Sequence, residues 1–525
     1  MLSLSALQKA RLSYMPKVPD ALSDITSCDF AENGKVGCEE EIRPQFPHLS
    51  EGKMLSLCKD ARSVGPLKVG VVLSGGQAAG GHNVIAGLFD ALKELNAEST
   101  LIGFLQGPSG IVNNTYIEIT EDRLASYRNQ GGFDIIGSGR TKIETKEQFE
   151  KTLQTVKAHD LDGLVIIGGD DSNTNAAFLA EYFLENGLRT CVTGVPKTID
   201  GDLKNEAIEI SFGFDTACKV YSECIGNIAR DAISAKKYYF FVRLMGRSAS
   251  HITLECAMQT HPNLALIAEE IESKGMHLQD IVDEIVKLIK DRKELGLDYG
   301  LILIPEGIIE FLPDMKALIA ALNVLCKMDV QDPEKRLQVV LEGLDDDLAK
   351  TMQLLPKEIQ LQLILDRDPH GNVQVSKIET EKLFIHLVCN QIESLNGQAL
   401  FYGYEGRSCL PSNFDATYCY SLGRLAALTT ARNKTGYIVS FQNMRDDVLS
   451  WKPVVSPLLS MLHQEIRQGK KKAVIQKALV DLRGRAFSEF CKVRDSWRLQ
   501  DTYSQVGPIQ YYGPKEITDS VPITL

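Results

Sequence analysis

Four aspartates and a lysine fall in two short stretches that also carry glycines. The first is Gly168-Gly169-Asp170-Asp171-Ser172, and the second is Pro196-Lys197-Thr198-Ile199-Asp200-Gly201-Asp202. Carboxylates crowded into one crevice repel one another and resist desolvation unless a cation or a reaction uses them. Asp170, Asp171, Asp200 and Asp202 with Lys197 therefore point to a magnesium-dependent phosphoryl-transfer centre. Such chemistry asks for in-line positioning, a cation on the phosphate oxygens and a base for the attacking hydroxyl. Asp170, directly after two glycines, is placed to hold Mg2+, which takes hard oxygen ligands and keeps several waters. Asp200, among small and polar neighbours, is placed as a base for a sugar hydroxyl. Either aspartate alone also reads as a turn or capping residue; the two together with Lys197 carry the chemical reading.

Both stretches follow strands. Leu164–Ile167 is an apolar run and Ala176–Leu179 opens a helical pattern, while Thr190–Gly194 is a short strand ahead of Pro196. Open α/β sheets bind ligands beyond the carboxyl ends of parallel strands, so the two loops are expected to face one crevice. A third loop has the same setting. Leu67–Leu73 reads as a buried parallel strand, Ser74–Asn83 is rich in glycine, and Val84–Leu92 has helical spacing. Free N–H groups at the start of a helix make such a loop an anion cradle. It matches neither GxGxxG nor GxxxxGK[ST], so neither a dinucleotide fold nor a P-loop enzyme follows.

Strand-like segments alternate with helices elsewhere: Ser99–Leu105, Tyr238–Leu244, Leu264–Ala268 and Tyr299–Ile304, with helices over Phe214–Ile233 and His277–Leu295. This alternation predicts an α/β protein with parallel-rich sheets, too extended for one sheet and so divided into two lobes around a cleft. Residues 308–399 read as a helical insert. Glu381–Ile392 is its clearest helix, Leu361–Leu365 is too short to assign, and Asp366–Asn372 forms a turn that lacks the EF-hand ligand order. The sheet pattern resumes at Phe401–Arg407, followed by a helix over Asp415–Ala431 and a strand over Gly436–Phe441. Residues 451–525 read as mostly helical, with Gln468–Lys472 as a solvated basic face. Residues 1–64 show no clean period and read as an extension that wraps the domain or serves contacts between subunits.

Composition bounds the function further. A chain of 525 residues suggests roughly two to four domains. Its 44% hydrophobic and 24% charged content is that of a soluble globular protein, and the net charge of -12 argues against nucleic acid. The 12 cysteines contain no CxxC pair and read as free thiols of a reducing compartment. No apolar stretch approaches the roughly 20 residues that span a bilayer, and Met1–Lys17 lacks the apolar core of a signal peptide. A cytoplasmic protein without a membrane partner is expected.

Six motifs carry a resemblance. GGDDSNTNA, PKTIDGDLKN, SFGFDTA, KYYFFVRLMGRSASHITLECA, LIPEG and YEGRS, in this order, resemble the pyrophosphate-dependent phosphofructokinase family. The likeness is nearest to its long-chain members, including the plant catalytic β-subunit type, and covers about residues 66–310 and 400–450. It implies the phosphofructokinase fold: two Rossmann-like lobes flanked by helices, plus the helical insert. Residues 65–235 would form the pyrophosphate and magnesium lobe, and residues 236–307 with 400–450 the fructose 6-phosphate lobe.

The resemblance further implies that Gly76 lies in the loop receiving pyrophosphate and that Asp170 holds Mg2+. Asp171 stands where ATP-using relatives carry glycine, in the space of the α-phosphate of ATP. Lys197 likewise replaces a glycine and stabilises the transferring phosphoryl group. Asp200, in the triplet Thr198-Ile199-Asp200 that meets the sugar, is the general base on its 1-hydroxyl. Met245, Gly246, Arg247, Glu306, Tyr404, Glu405, Gly406 and Arg407 would bind fructose 6-phosphate. Lys237 and Tyr238 would reach the site of a neighbouring subunit, making the active form a homodimer or higher homo-oligomer. The implied reaction is reversible phosphoryl transfer from pyrophosphate to fructose 6-phosphate, giving fructose 1,6-bisphosphate and phosphate in glycolysis or gluconeogenesis.

Physics supports the donor independently. At an effective dielectric of ~20, two like charges ~4 Å apart repel by about 4 kcal/mol, so Asp171 would oppose an α-phosphate. Lys197 supplies a cation to a donor that lacks the adenosine contacts of ATP. The competing readings are an ATP-dependent phosphofructokinase, a non-catalytic regulatory subunit of the same family, and a lipid or NAD kinase built on the GGDD loop alone. Arg243 reads as structural, and His82 and His251 as polar neighbours of the cleft. Glu405 could hold a backbone group, and Tyr404 could be core.

Overall fold

The computed structural model describes residues 10–35, 38–326, 332–367, 372–467, 470–507, 521–522 and 524–525. Aliphatic and β-branched runs supply its strands. Those of the first half are β1 (Cys28–Lys35), β2 (Lys53–Lys59), β3 (Lys68–Leu73), β4 (Thr100–Phe104), β5 (Tyr116–Ile119), β6 (Gly163–Gly168) and β7 (Cys191–Pro196). Then come β8 (Tyr239–Leu244), β9 (Leu264–Ala265), β10 (Gly300–Pro305) and β11 (Gly397–Tyr402). The last are β12 (Tyr437–Gln442), β13 (Lys452–Pro457), β14 (Leu462–Arg467) and β15 (Lys470–Ile475).

The larger sheet runs β1-β2-β13-β12-β7-β6-β3-β4-β5. Its centre, from β12 to β4, is parallel, and antiparallel strands close both edges. The smaller sheet, β11-β8-β10-β9, is parallel throughout. Side chains of β8 alternate between its two faces. Phe240, Val242 and Leu244 join the core shared with the larger lobe. Tyr239 and Phe241 join a second core, beneath the helical insert. Arg243, on that second face, pairs with Glu381 of the insert at 2.7 Å and lies 4.0 Å from the Phe401 ring centroid. Its role is structural, as its position just before the MGR motif suggested.

Several expectations need correction. The 1–64 extension is not only a wrap: β1 and β2 pair with each other and extend the larger sheet through β13. The segment 400–450 is divided between lobes. Strand β11 joins the smaller sheet, whereas β12 pairs with β7 of the larger one, Tyr437 opposite Thr193. The Asn413–Ala431 helix packs on the larger lobe's Gly81–Leu95 helix, so most of this segment belongs there rather than to the sugar lobe. Residues 451–525 are not mostly helical. They contribute β13, β14 and β15 before the helix Arg485–Leu499. Prolines at 453 and 457 bracket the β-branched pair Val454-Val455, which suits a strand and breaks a helix. Leu264–Ala268 contracts to the two-residue β9 before the helix Ala268–Ser273, and Leu361–Leu365 ends a helix that starts at Lys357. Of the expected turn at 366–372, residues 368–371 lie outside the described residues; so do Gln468 and Gly469 of the basic cluster, whose three lysines open β15.

The two helices on the larger sheet approach backbone to backbone. A Cβ on Gly87 would collide with the Tyr420 carbonyl, and one on Gly423 with the Val84 carbonyl. This crossing fixes the Asn413–Ala431 helix, whose N-terminal Asp415 receives the N–H groups of Gly213 and Thr216 at 3.0 and 2.8 Å. Overpacking such a contact costs about 1–3 kcal/mol. Gly423→Ala is therefore expected to lower the denaturant midpoint with an unchanged slope, whereas Gly187→Ala, where no atom lies within 4 Å of the new methyl, tests only backbone strain at φ +67.

Candidate active site

Two sets of three strand ends build the cleft. In the larger sheet β6 lies between β3 and β7, so their following loops are neighbours. Backbone bonds extend the pairing past the strands: Ser74 N–H donates to the Ile167 carbonyl (2.8 Å) and Lys197 N–H to that of Gly168 (3.0 Å). In the smaller sheet β8 lies between β11 and β10. Met245 N–H donates to Tyr402 (3.0 Å) and Glu306 N–H to Leu244 (2.9 Å). Gln77 joins the two sets: its carbonyl accepts from Arg407 Nε at 3.4 Å, and its Oε1 from Ser408 Oγ at 2.7 Å.

The loop after β3 is a cationic pocket. Gly75 adopts φ +87, and a Cβ there would stand 3.2 Å from Lys197 Nζ. A Cβ on Gly76 would collide with the Arg407 guanidinium and lie 3.6 Å from Arg140 Nη2. Glycine at both positions leaves room for three cations to face one space. Arg140 reaches it because Gly75 N–H donates to the Gly139 carbonyl (2.8 Å). Lys197 is 6% exposed, and burial, reinforced by the neighbouring Arg407, pushes its ammonium down to about 8.

The acids divide. Asp170 and Asp171 open the helix Asp170–Glu185 and so project about 100° apart. Asp170 is half-buried, with Lys477 Nζ 3.8 Å from its Oδ2; the same nitrogen lies 3.7 Å from Asp202 Oδ2. Asp171 is half exposed and paired with Lys142 at 2.9 Å. Asp200 is held by a turn in which its N–H donates to Thr198 Oγ1 (3.1 Å), while Ile199 is buried. Burial and the facing Glu306 raise the pKa of Asp200, and burial with Asp200 pushes Asp202 up to about 6. The crevice thus contains Asp170, Asp200 and Asp202 as expected, with Asp171 on its flank.

On the smaller lobe, Gly246 takes φ +134 and donates its N–H to Glu306 Oε2 (3.1 Å), which fixes the turn that presents the exposed Arg247. Glu405 Oε2 accepts from Gly403 N–H at 3.0 Å, the backbone-holding alternative. Tyr404 is 70% exposed rather than core, and Arg407 lies 5.4 Å from its ring centroid. Gly406 packs on the Tyr221 ring, whose hydroxyl donates to the Gly403 carbonyl (2.6 Å). Met245 sits against Gly403. Lys237 and Tyr238 precede β8, whereas Met245 follows it; a strand of this length puts about 20 Å between them. Within one chain they do not join the cleft.

His251 Nε2 donates to the Ala478 carbonyl (2.9 Å), and His82 is fully buried beside Asp134. Sequence reasoning missed Arg140, Lys142 and Lys477. The first two follow Gly139 in a loop whose basic residues were a readable signal; Lys477 is a single lysine far along the chain and gave none.

The fold and this double set of loops define the class: the chain belongs to the phosphofructokinase family, whose profile matches residues 68–428. Over its whole length it is 48% identical to the pyrophosphate–fructose 6-phosphate 1-phosphotransferase of Treponema pallidum, covering 97% of that protein. It is also 48% identical, over 99% of its length and 94% of the relative's, to subunit beta 1 of the Arabidopsis thaliana enzyme of that name. Among solved structures, the pyrophosphate-dependent phosphofructokinase of Marinobacter aquaeolei aligns with 82% of this chain and 91% of its own at TM-score 0.56 and 15% identity, a likeness of fold. Among the described residues no helix is long and apolar enough to cross a membrane.

The charge of Lys197 is lost as pH rises through its lowered pKa of about 8. kcat/KM for an anionic substrate that needs this cation is therefore expected to fall about tenfold per pH unit above that point. Lys197→Arg, whose guanidinium stays charged, should move or remove this alkaline limb in a pH–rate profile.

Proposed function

We propose that the protein catalyses reversible transfer of a phosphoryl group from pyrophosphate to the 1-hydroxyl of fructose 6-phosphate, giving fructose 1,6-bisphosphate and phosphate. The observation that carries the reading is the convergence of Lys197, Arg140 and Arg407 on the Gly75-Gly76 loop, with the Asp170 carboxylate near Lys197. Pyrophosphate would lie there, and Lys197 would follow the phosphoryl group as charge develops on it. Fructose 6-phosphate would lie on the smaller lobe, where Arg247 would meet its phosphate, Arg407 would face the sugar from the pyrophosphate side, and Glu306 keeps the Gly246 turn in place. Asp200 takes the proton from the sugar 1-hydroxyl. That oxygen forms a bond to phosphorus as the bridging P–O bond breaks and phosphate leaves. A pKa raised by burial makes Asp200 a stronger base than a solvated aspartate.

Mg2+ fits the donor set. Asp170 offers a half-buried carboxylate at a strand end, and magnesium sites in phosphoryl transfer use one or two protein carboxylates with waters and substrate phosphates. When bound, the ion would neutralise charge on the phosphate oxygens. The cluster His48–Glu181–Glu185 is the group of potential metal ligands found among the described residues, but Glu181 is engaged by His48 and by the N–H groups of His48 and Leu49.

Asp171 acts on donor choice mainly by bulk, because Lys142 at 2.9 Å offsets part of its charge. An ATP-dependent enzyme would need room where Asp171 and Lys197 stand. A non-catalytic subunit would have no use for the retained Asp170, Lys197, Asp200 and Arg247. Lys237 and Tyr238, remote from their own cleft, suit a role in a partner's site, so the proposed active form is at least a homodimer. Its phosphorylated sugar substrates suit a cytoplasmic setting.

Assay with Mg2+ and fructose 6-phosphate, comparing pyrophosphate with ATP at equal concentration, tests the donor. Activity with pyrophosphate alone is expected; activity with ATP would overturn the donor assignment, and none with either would favour the regulatory subunit. Asp200→Ala should lower kcat by roughly 10²–10⁴-fold with little change in fructose 6-phosphate binding. Near-normal turnover would show that another group is the base. Asp171→Gly with Lys197→Gly should weaken pyrophosphate use and admit ATP binding, measurable by calorimetry.

A further inference from the structure

The chain after β15 passes through the cleft. Ile475 N–H donates to Thr174 Oγ1 (3.1 Å) on the Asp170–Glu185 helix, and Ala478 N–H to the Asp202 carbonyl (2.7 Å). The next anchors are on the smaller lobe: His251 Nε2 meets the Ala478 carbonyl at 2.9 Å, and Val480 N–H donates to Glu269 Oε1 at 3.0 Å. Between them Lys477 places its ammonium 3.8 Å from Asp170 and 3.7 Å from Asp202 while donating to Ser248 Oγ at 2.7 Å. Ser248 directly follows Arg247, so one side chain touches both halves of the cleft. Its positive charge also acts on Asp200 and Glu310.

Asp170 and Asp202 are 25% and 7% exposed, too enclosed to stand side by side without a cation. Lys477 supplies one, from a flexible stem that can withdraw: its own side chain is 31% exposed. A divalent ion arriving at Asp170 competes for the same oxygens.

We propose that Lys477 is a positioning residue of the phosphoryl-transfer centre, the built-in counter-cation that neutralises Asp170 and Asp202 until metal takes its place at Asp170, and that keeps its bond to Ser248 across the cleft during transfer. The proposal rests on Asp170 as the metal ligand. Two consequences separate it from a merely structural lysine. Removing the ammonium strengthens metal binding to the free protein, and it slows transfer because the lobes lose the contact beside Arg247.

The test uses the full chain. Mn2+ binding without pyrophosphate or sugar is followed by loss of the free-ion electron paramagnetic resonance signal, alongside steady-state kinetics. Lys477→Met is expected to bind Mn2+ about five- to tenfold more tightly, the scale of a partly exposed charge pair acting on two carboxylates. Its kcat should fall about tenfold or more with KM for fructose 6-phosphate within about twofold, the mark of a contact that matters during transfer. Lys477→Arg should restore parental Mn2+ affinity and most of kcat. Unchanged Mn2+ affinity in Lys477→Met, or a loss that Lys477→Arg does not repair, overturns the proposal. Ser248→Ala removes only the contact across the cleft, so lower kcat with parental Mn2+ affinity is expected and unchanged kcat overturns the bridging role. Asp170→Asn separates the two readings. If it abolishes Mn2+ binding while Lys477→Met changes nothing, the metal assignment stands and the lysine proposal fails; if Mn2+ binding persists in Asp170→Asn, the metal assignment itself fails.

Discussion

Parallel pairing between adjacent strands is the constraint from which the cleft follows. A parallel ladder puts the carboxyl ends of neighbouring strands at one edge. The bonds from Ser74 to Ile167 and from Lys197 to Gly168 carry that pairing into the loops of the larger lobe. The bonds from Met245 to Tyr402 and from Glu306 to Leu244 do the same in the smaller one. Residues more than a hundred positions apart in sequence thereby meet without long side chains having to reach for one another. The glycines at 75, 76, 168 and 246 then let ligand-facing backbone and cations come close.

Charge is balanced locally in this cleft. The chain as a whole carries a formal charge of -12, so attraction of phosphates depends on Lys197, Arg140, Arg407 and Arg247 rather than on a general field. Burial works against Lys197 and Asp200 in opposite directions, weakening the hold of one on its proton and strengthening that of the other. Each carries an opposite charge near the other, so their ionised forms support each other. This is a site poised to exchange charge with a ligand, which a stack of neutral hydrogen bonds would not be.

Much of this was legible in the sequence. Strands followed by glycines or acids located the loops after β3, β6 and β7, and β8 and β10 were found to within a residue or so. Motif order then led to Arg247, Glu306 and Arg407. What escaped notice was set by tertiary context. Nothing local in Val454-Val455 or in the irregular 1–64 region says which sheet they enter. The route of Asn413–Ala431 back to the larger lobe depends on backbone contact at Gly87 and Gly423, visible only when both helices are present. Lys477 is an ordinary lysine in sequence, and only the fold sets it against Asp170 and Asp202.

The strand order of the larger sheet also governs when it can be completed during synthesis. β2 joins the sheet only through β13, and β13 joins it through β12. β1 and β2 must therefore wait for residues 437–457, while the smaller sheet and the helical insert emerge in between. A nascent chain carries the paired β1 and β2 with an unpaired edge until β13 has been made. Such long-range closure slows folding and exposes strand edges to other chains. The larger sheet thus closes only after every strand of the smaller one has been made.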